Sequence, residues 1–334
     1  MGQIPLGQIQ PGQVQPGQVQ PGQIDHPALR QLFPGFVEQR VRVADRAAGP
    51  AQTISIPVLR AGHGPALLLL HGHPQTRALW HRVAARLAQQ FTVILTDLRG
   101  YGDADKPALQ ANHAQQSFRA MAGDQVEVMR TLGFERFRIL AHDRGARTAH
   151  RLALDHPQCV ERMTLLDIAP TLAMYEATDR EFATRYWHWF FLIQPAPWPE
   201  RLIQADPQAY VAATMGSRHA GLSVFDPQAM AQYQRCLSDP ATIQALCEDY
   251  RAAATIDLEH DRIDREAGRR VTCPLQILWG KHGTIEACFD ALAEWRRVAD
   301  SVSGHALPCG HYIAEEAPDA LLEAVLPFLQ GSSP

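Results

Sequence analysis

The sequence predicts an α/β protein: a mostly parallel, eight-stranded sheet flanked by helices, with a block of helices inserted after the sixth strand. Three observations carry this. From Phe36 onward, strand-like and helix-like stretches alternate, the pattern of a parallel sheet with right-handed crossovers. The run PALLLLHG is apolar without alternation, as a strand buried on both faces should be. Between Pro170 and Ile263 the alternation stops and helix formers take over, before two further strand-like runs and a closing helix.

The elements follow in order. Residues 1–24 repeat with a period of five (GQIPL, GQIQP, GQVQP, GQVQP, then GQID). A segment of Gly, Gln, Pro and single aliphatics has no face to bury, so this tail is expected to be disordered. Strands are expected at 36–43, 53–60 and PALLLLHG, then a helix at 78–89, the strand FTVILTD and a helix at 116–132. The strand FRILA, a helix at 148–156 and the strand RMTLLD come next. Two strands, PLQILWG and SGHALP, and a helix at 317–329 close the chain. In domain terms this reads as a tail (1–24), a first part of the sheet domain (25–169), a helical cap (170–263) and the rest of the sheet domain (264–334). Insertions at the carboxyl edge of such a sheet surround its ligand site.

Composition excludes several classes. The 334 residues are 46% hydrophobic and 20% charged, ordinary for a globular chain. The net charge is −4 with no basic block, which argues against a nucleic-acid surface. The longest apolar run, around ALLLL, falls far short of the ~20 residues that span a bilayer. Cys159, Cys236, Cys247, Cys273, Cys288 and Cys309 form no CxxC pair, so neither a zinc knuckle nor another metal site is expected. The amino terminus has no basic and apolar leader, and the cysteines read as free thiols in a cytoplasmic protein.

The chemistry begins at AHDRGAR, residues 141–147. A strand, a sharp Gly-containing turn and a helix are the setting of the G-x-S-x-G nucleophile elbow. Here Asp143 stands where the serine belongs. A carboxylate is a poor nucleophile toward esters and amides. It can displace an assisted leaving group from an sp³ carbon, leaving an alkyl ester on the enzyme that activated water then hydrolyses. An Asp elbow therefore predicts cleavage of carbon–halogen or epoxide carbon–oxygen bonds. The base is expected on a loop after the last strand, where PCGHYIAEEAP supplies His311. The acid that orients it is expected at Asp167, which ends RMTLLD, with Glu286 in KHGTIE as the other candidate. The turn HGHP supplies oxyanion-hole geometry through the backbone N–H groups of His73 and Arg144. His71 and the His73 side chain shape that turn.

Arg144 and Arg147 are three apart on one helix and both border the elbow. Guanidinium forks match carboxylates, so the pair predicts an anionic substrate and an ionised Asp143. In the cap, RYWHWFF offers His188 and Trp189 as N–H donors to a departing halide, and Tyr250 adds a hydroxyl.

With these residues placed, the chain resembles the haloacetate dehalogenases, the fluoroacetate dehalogenase group of the α/β-hydrolase superfamily. The stretches that carry the resemblance are HGHPQTRALWHRVA, DLRGYGDADKP, AHDRGAR, LLDIAPT, YWHWFFLIQPAP, DYRAAATIDLEHD, ILWGKHG and CGHYIAEEAP, covering about residues 30 to 330. The resemblance implies the α/β-hydrolase fold, with Asp143, His311 and Asp167 as the catalytic residues. It puts Arg144 and Arg147 on the substrate carboxylate and His188, Trp189 and Tyr250 around the halide. It also implies no cofactor, a small halogenated carboxylate as substrate, and a homodimer. Two positions depart from the group: His73 stands where Phe is frequent, and Ala141 where Gly is frequent. The Gln/Gly/Pro tail is a third departure.

Two other functions stay open on the sequence. An epoxide hydrolase uses the same Asp–His–acid chemistry with cap tyrosines, for which Tyr175, Tyr186 and Tyr250 are available. A non-catalytic carboxylate-binding protein would keep the arginines without needing His311 and Asp167.

Overall fold

Nine strands make one sheet: β1 (Val19–Gly22), β2 (Val37–Ala44), β3 (Thr53–Ala61), β4 (Ala66–Leu70), β5 (Thr92–Thr96), β6 (Phe137–His142), β7 (Val160–Leu166), β8 (Leu275–Gly280) and β9 (Val302–Leu307). The computed structural model describes residues 19–22, 27–49 and 52–331. The sheet order is β1-β2-β3-β5-β4-β6-β7-β8-β9. From β5 to β9 all neighbours are parallel, and β1, β2, β3 and β5 pair antiparallel. Every residue of β4 and β5 is buried, which is why their sequences run apolar without alternation.

Three expectations are corrected. Residues 19–22 of the repeat tail are not disordered: they add a ninth strand, antiparallel to β2, with Val19 opposite Val41. An edge strand presents unpaired backbone N–H and C=O groups that any extended segment can satisfy, and Pro21 is tolerated there because an edge does not need its N–H. Residues 1–18 and 23–26 of the tail and its junction lie outside the described residues. The single helix expected at 78–89 is instead a 3-10 turn, Arg77–Trp80, and a one-turn helix, Ala84–Leu87. Its start is fixed by tertiary anchors: Thr76 caps Ala78 N–H, and buried Arg77 pairs with Asp97, Glu38 (2.8 Å) and Asp103 (3.1 Å). Such anchoring overrides a weak helical preference. The helix expected at 148–156 begins five residues earlier and runs Asp143–Asp155, so the elbow is its first residue.

Between β7 and β8 the chain makes eight helices, from Thr171–Glu176 to Ile256–Glu266. The last runs past Ile263 and stops before Gly268, whose φ of +66° is open to glycine at little cost. An aromatic cluster holds the insertion together: the rings of Phe182, Tyr186 and Trp189 lie 5.2–5.6 Å apart. No helix among the described residues is long and apolar enough to cross a membrane.

One buried carboxyl gives the fold a pH dependence. The carboxyl of Glu315, in the short helix Ile313–Glu316, accepts from Gln75 Nε2 (2.5 Å) and Tyr233 Oη (3.1 Å), with no cation bonded to it among the described residues. Burial pushes it up to about 8. The folded protein therefore holds a proton that the unfolded chain releases near pH 4–5. Its contribution to stability is complete below that range and is lost as pH rises toward 8, at up to about 1.4 kcal/mol per pH unit. Urea unfolding from pH 5 to pH 8 should show wild-type stability declining relative to Glu315→Gln; parallel curves would refute this account.

Candidate active site

The elbow is a strained junction between β6 and the helix Asp143–Asp155. Asp143 has φ +44° and Asp167, after β7, has φ +51°. Asp enters this region more readily than most residues because its short side chain bonds locally. Close approach to the 71–73 turn demands glycine twice. A Cβ on Gly72 would lie 2.5 Å from that of Asp143, and one on Gly145 would lie 2.4 Å from the His71 carbonyl oxygen. Gly145 N–H donates to that oxygen (2.8 Å), and the His71 ring accepts from Leu98 N–H (3.1 Å), which fixes the turn. His73 N–H then donates to Asp143 Oδ2 at 3.0 Å.

His311 lies on the loop after β9. Its Nδ1 donates to Asp167 Oδ2 at 2.6 Å, and Asp167 Oδ1 accepts from Gly280 N–H at 2.9 Å. With Nδ1 engaged by Asp167, Nε2 is the ring nitrogen left to exchange a proton with water. His142 Nε2 donates to the His311 carbonyl (2.9 Å), tying the base to the residue before the elbow. Glu286 is exposed and bonds Trp279 instead.

The two arginines are both buried but held differently. The Arg144 fork is already closed on a carboxylate: Nε to Asp249 Oδ2 (2.8 Å), Nη2 to Oδ1 (2.5 Å) and to the Asp249 carbonyl (2.9 Å). Its guanidinium lies over the Tyr250 ring, 4.2 Å from the centroid. Arg147 bonds the Ala169 carbonyl (3.2 Å) and Thr171 Oγ1 (2.9 Å) and lies 4.7 Å over Trp189. One nitrogen of each remains unpartnered among the described residues, Nη1 of Arg144 and Nε of Arg147.

Cap side chains complete the wall. The His188 ring lies 5.9 Å from those of His73 and Tyr250, and Tyr250 lies 5.3 Å from His73. Trp189 Nε1, Tyr250 Oη and His73 Nδ1 are buried with no partner among the described residues, while His73 Nε2 meets Tyr210 Oη at 3.0 Å. His311, Asp167, Arg144, Arg147, His188, Trp189, Tyr250 and His73 thus gather around Asp143, and Glu286 does not.

The electrostatics follow from burial and charge. Burial works to raise the Asp143 carboxyl, but the nearby His311 and Arg147, then His142 and Arg144, hold it well below the usual carboxylate range. Burial lowers His73 to about 3 and His188 well below its ordinary value, so both rings are neutral. Burial and the Asp143 charge raise the Tyr250 hydroxyl, which stays protonated and able to donate. The sequence reading missed Asp249, Tyr101, which donates to Asp249 Oδ2 (2.6 Å), and Tyr210. The available signal was the acidic pair ED set beside Tyr250 in a helix otherwise rich in Ala.

Comparison with known proteins agrees with this architecture. The family model for the alpha/beta hydrolase fold matches residues 65–318. A fluoroacetate dehalogenase from Burkholderia sp is 45% identical over 299 residues, 89% of this chain and 95% of that protein. A soluble epoxide hydrolase from Corynebacterium sp. (strain C12) is 33% identical over 272 residues, 80% and 91% of the two chains. Among solved structures, a protein from Nostoc sp PCC 7120 assigned to the alpha/beta hydrolases superposes with a TM-score of 0.81 at 52% identity, covering 88% of this chain and 98% of that one. The epoxide hydrolase CorEH gives 0.77 at 29% identity, covering 89% and 100%. The family match and these near-full-length identities make the chain a member of the α/β-hydrolase family, in the part of it that includes the Burkholderia fluoroacetate dehalogenase.

Proposed function

We propose that the protein hydrolyses a haloacetate, fluoroacetate or chloroacetate, to glycolate and halide. The observation that carries this is an ionised carboxylate at the elbow with unpartnered buried donors close by: guanidinium N–H groups of Arg144 and Arg147, and the Trp189 and Tyr250 rings over which they lie. The free N–H groups of Arg144 and Arg147 hold the substrate carboxylate. Asp143 Oδ1 attacks the α-carbon, and the carbon–halogen pair leaves with the halide toward His188, Trp189 and Tyr250. Oδ2, already on His73 N–H, is the carbonyl oxygen of the resulting ester. His311 Nε2 takes a proton from water as it adds to Cγ of Asp143, and Asp167 steadies the imidazolium. The Cγ–Oδ1 bond then breaks and His311 returns the proton to glycolate. The water oxygen stays on Asp143, whose acid proton goes to solvent, so one proton is released per turnover. The relatedness to the Burkholderia fluoroacetate dehalogenase supports the same reading.

Epoxide hydrolysis is the second reading. The unpartnered hydroxyls of Tyr175 and Tyr250 favour it, because either can protonate an epoxide oxygen. It leaves Arg144 Nη1 and Arg147 Nε without a ligand, which is why the haloacetate reading is preferred.

Four outcomes test this. Halide and glycolate should be released in equal amounts from chloroacetate by the wild type and not by Asp143→Ala. His311→Ala should accumulate a carboxymethyl adduct on Asp143, visible by mass spectrometry; an unmodified protein after incubation refutes the two-step scheme. Arg147→Met should raise KM for chloroacetate roughly 10–100-fold, the worth of one charge-assisted bond. Because Asp143 stays ionised, the first-turnover rate of chloride release should be level from pH 5 to pH 8. A rise with increasing pH across that range would mean the nucleophile titrates there.

A further inference from the structure

A cavity of about 350 Å³ lies between the cap and the loop that carries His311. Its wall includes Arg185, Arg218, His219, His282, Thr284 and His311, and no Asp or Glu among the described residues lines it. Such a lining suits an anion.

Arg218 is the notable member. Its guanidinium lies over the Tyr186 ring, 4.7 Å from the centroid, and that ring lies 6.4 Å from His311. Its own hydrogen bonds are long: Nε to the Thr214 carbonyl at 3.3 Å and Nη1 to Thr284 Oγ1 at 3.5 Å. No carboxylate among the described residues pairs with it. Arg77, Arg99, Arg144, Arg151 and Arg251, by contrast, each have an acid partner. Arg185, on the same wall, is tied to Glu181 at 3.0 Å. A half-buried guanidinium has lost much of its water, and here it has gained no acid in return, which leaves its fork available to a ligand carboxylate. Its charge also reaches the reaction centre, where, after burial, it helps keep His188 neutral.

We propose that this cavity is the entrance vestibule of the active site, and that Arg218 captures the carboxylate of the incoming substrate there before Arg144 and Arg147 receive it beside Asp143. The proposal rests on the anionic-substrate reading above. A charge at the mouth of a cleft raises the association rate of an oppositely charged ligand, and salt weakens the effect.

Two measurements separate this proposal from that reading. The first compares kcat/KM for chloroacetate with that for the neutral chloroacetamide. Arg218→Gln should lower the chloroacetate-to-chloroacetamide ratio about tenfold and flatten its dependence on ionic strength, and Arg218→Lys should restore most of both. An unchanged ratio and salt slope in Arg218→Gln overturns the proposal. So does a Lys variant as impaired as Gln with the salt slope intact, since Arg218 would then serve only to pack Tyr186. The second uses Trp187, which also lines the cavity, as a reporter. Acetate should quench tryptophan fluorescence in the wild type, and the response should vanish in Arg218→Gln and in Trp187→Phe. Equal quenching in wild type and Arg218→Gln overturns the vestibule. If the wild type releases no halide from chloroacetate, the dehalogenase reading falls and the acetate titration alone decides whether Arg218 binds an anion.

Discussion

Burying an ionised carboxylate is the constraint around which this site is arranged. Asp143 sits at a strained turn, almost without solvent, and the proposed displacement needs it charged. Desolvation alone would protonate it. The compensation comes from four directions: the His73 N–H, the His311 ring, Arg147 on the next turn of its helix, and Arg144 beside it. Remove the positive surroundings and the elbow would hold a neutral acid, useless for displacement. The glycines at 72 and 145 serve the same end, because they let the backbone donor come close enough to matter.

The two arginines show how one charge type fills two offices. Arg144 spends most of its fork on Asp249, in the cap helix Pro240–Ala254, and Tyr101 donates to the same carboxylate. This network bridges the sheet domain and the cap. It fixes Tyr250, whose ring lies beneath the Arg144 guanidinium, relative to the nucleophile. Truncating either member would leave the other charged and buried, which costs about 3–5 kcal/mol in comparable pairs. Among the described residues, Arg147 is held by a carbonyl, a hydroxyl, the Met174 sulfur and the Trp189 face. With no acid side chain closed on its fork, it has the more open coordination for a substrate carboxylate.

His73 changes the polarity of the pocket rather than its framework. Its backbone N–H reaches Asp143 as any residue's would, while its ring takes a hydrogen bond with Tyr210 and stacks near His188. A phenyl ring at this position could do neither the bonding nor the donation. The ring is neutral at working pH, so it adds a dipole and not a charge.

Much was legible in the sequence because local physics dictated it. The apolar runs in ALLLL and TVILT suit strands buried on both faces, and a strand–AHDRGAR–helix junction places residue 143 at a sharp turn above the sheet. Asp in that place, with His311 after the last strand, limits the chemistry before any contact is known. Other features depended on groups distant in the chain. Arg144 meets Asp249 across 105 residues, and His311 meets Asp167 rather than Glu286 across 144, choices that spacing alone left open. Arg77, through acids on three other segments, broke a predicted helix. Part of the repeat tail became a strand only because β2 left an edge to pair with. Sequence determined which residues could react and in what local conformation. Tertiary structure decided which buried charges would be neutralised by protein and which left open to a ligand, because desolvation and pairing are properties of neighbours in space.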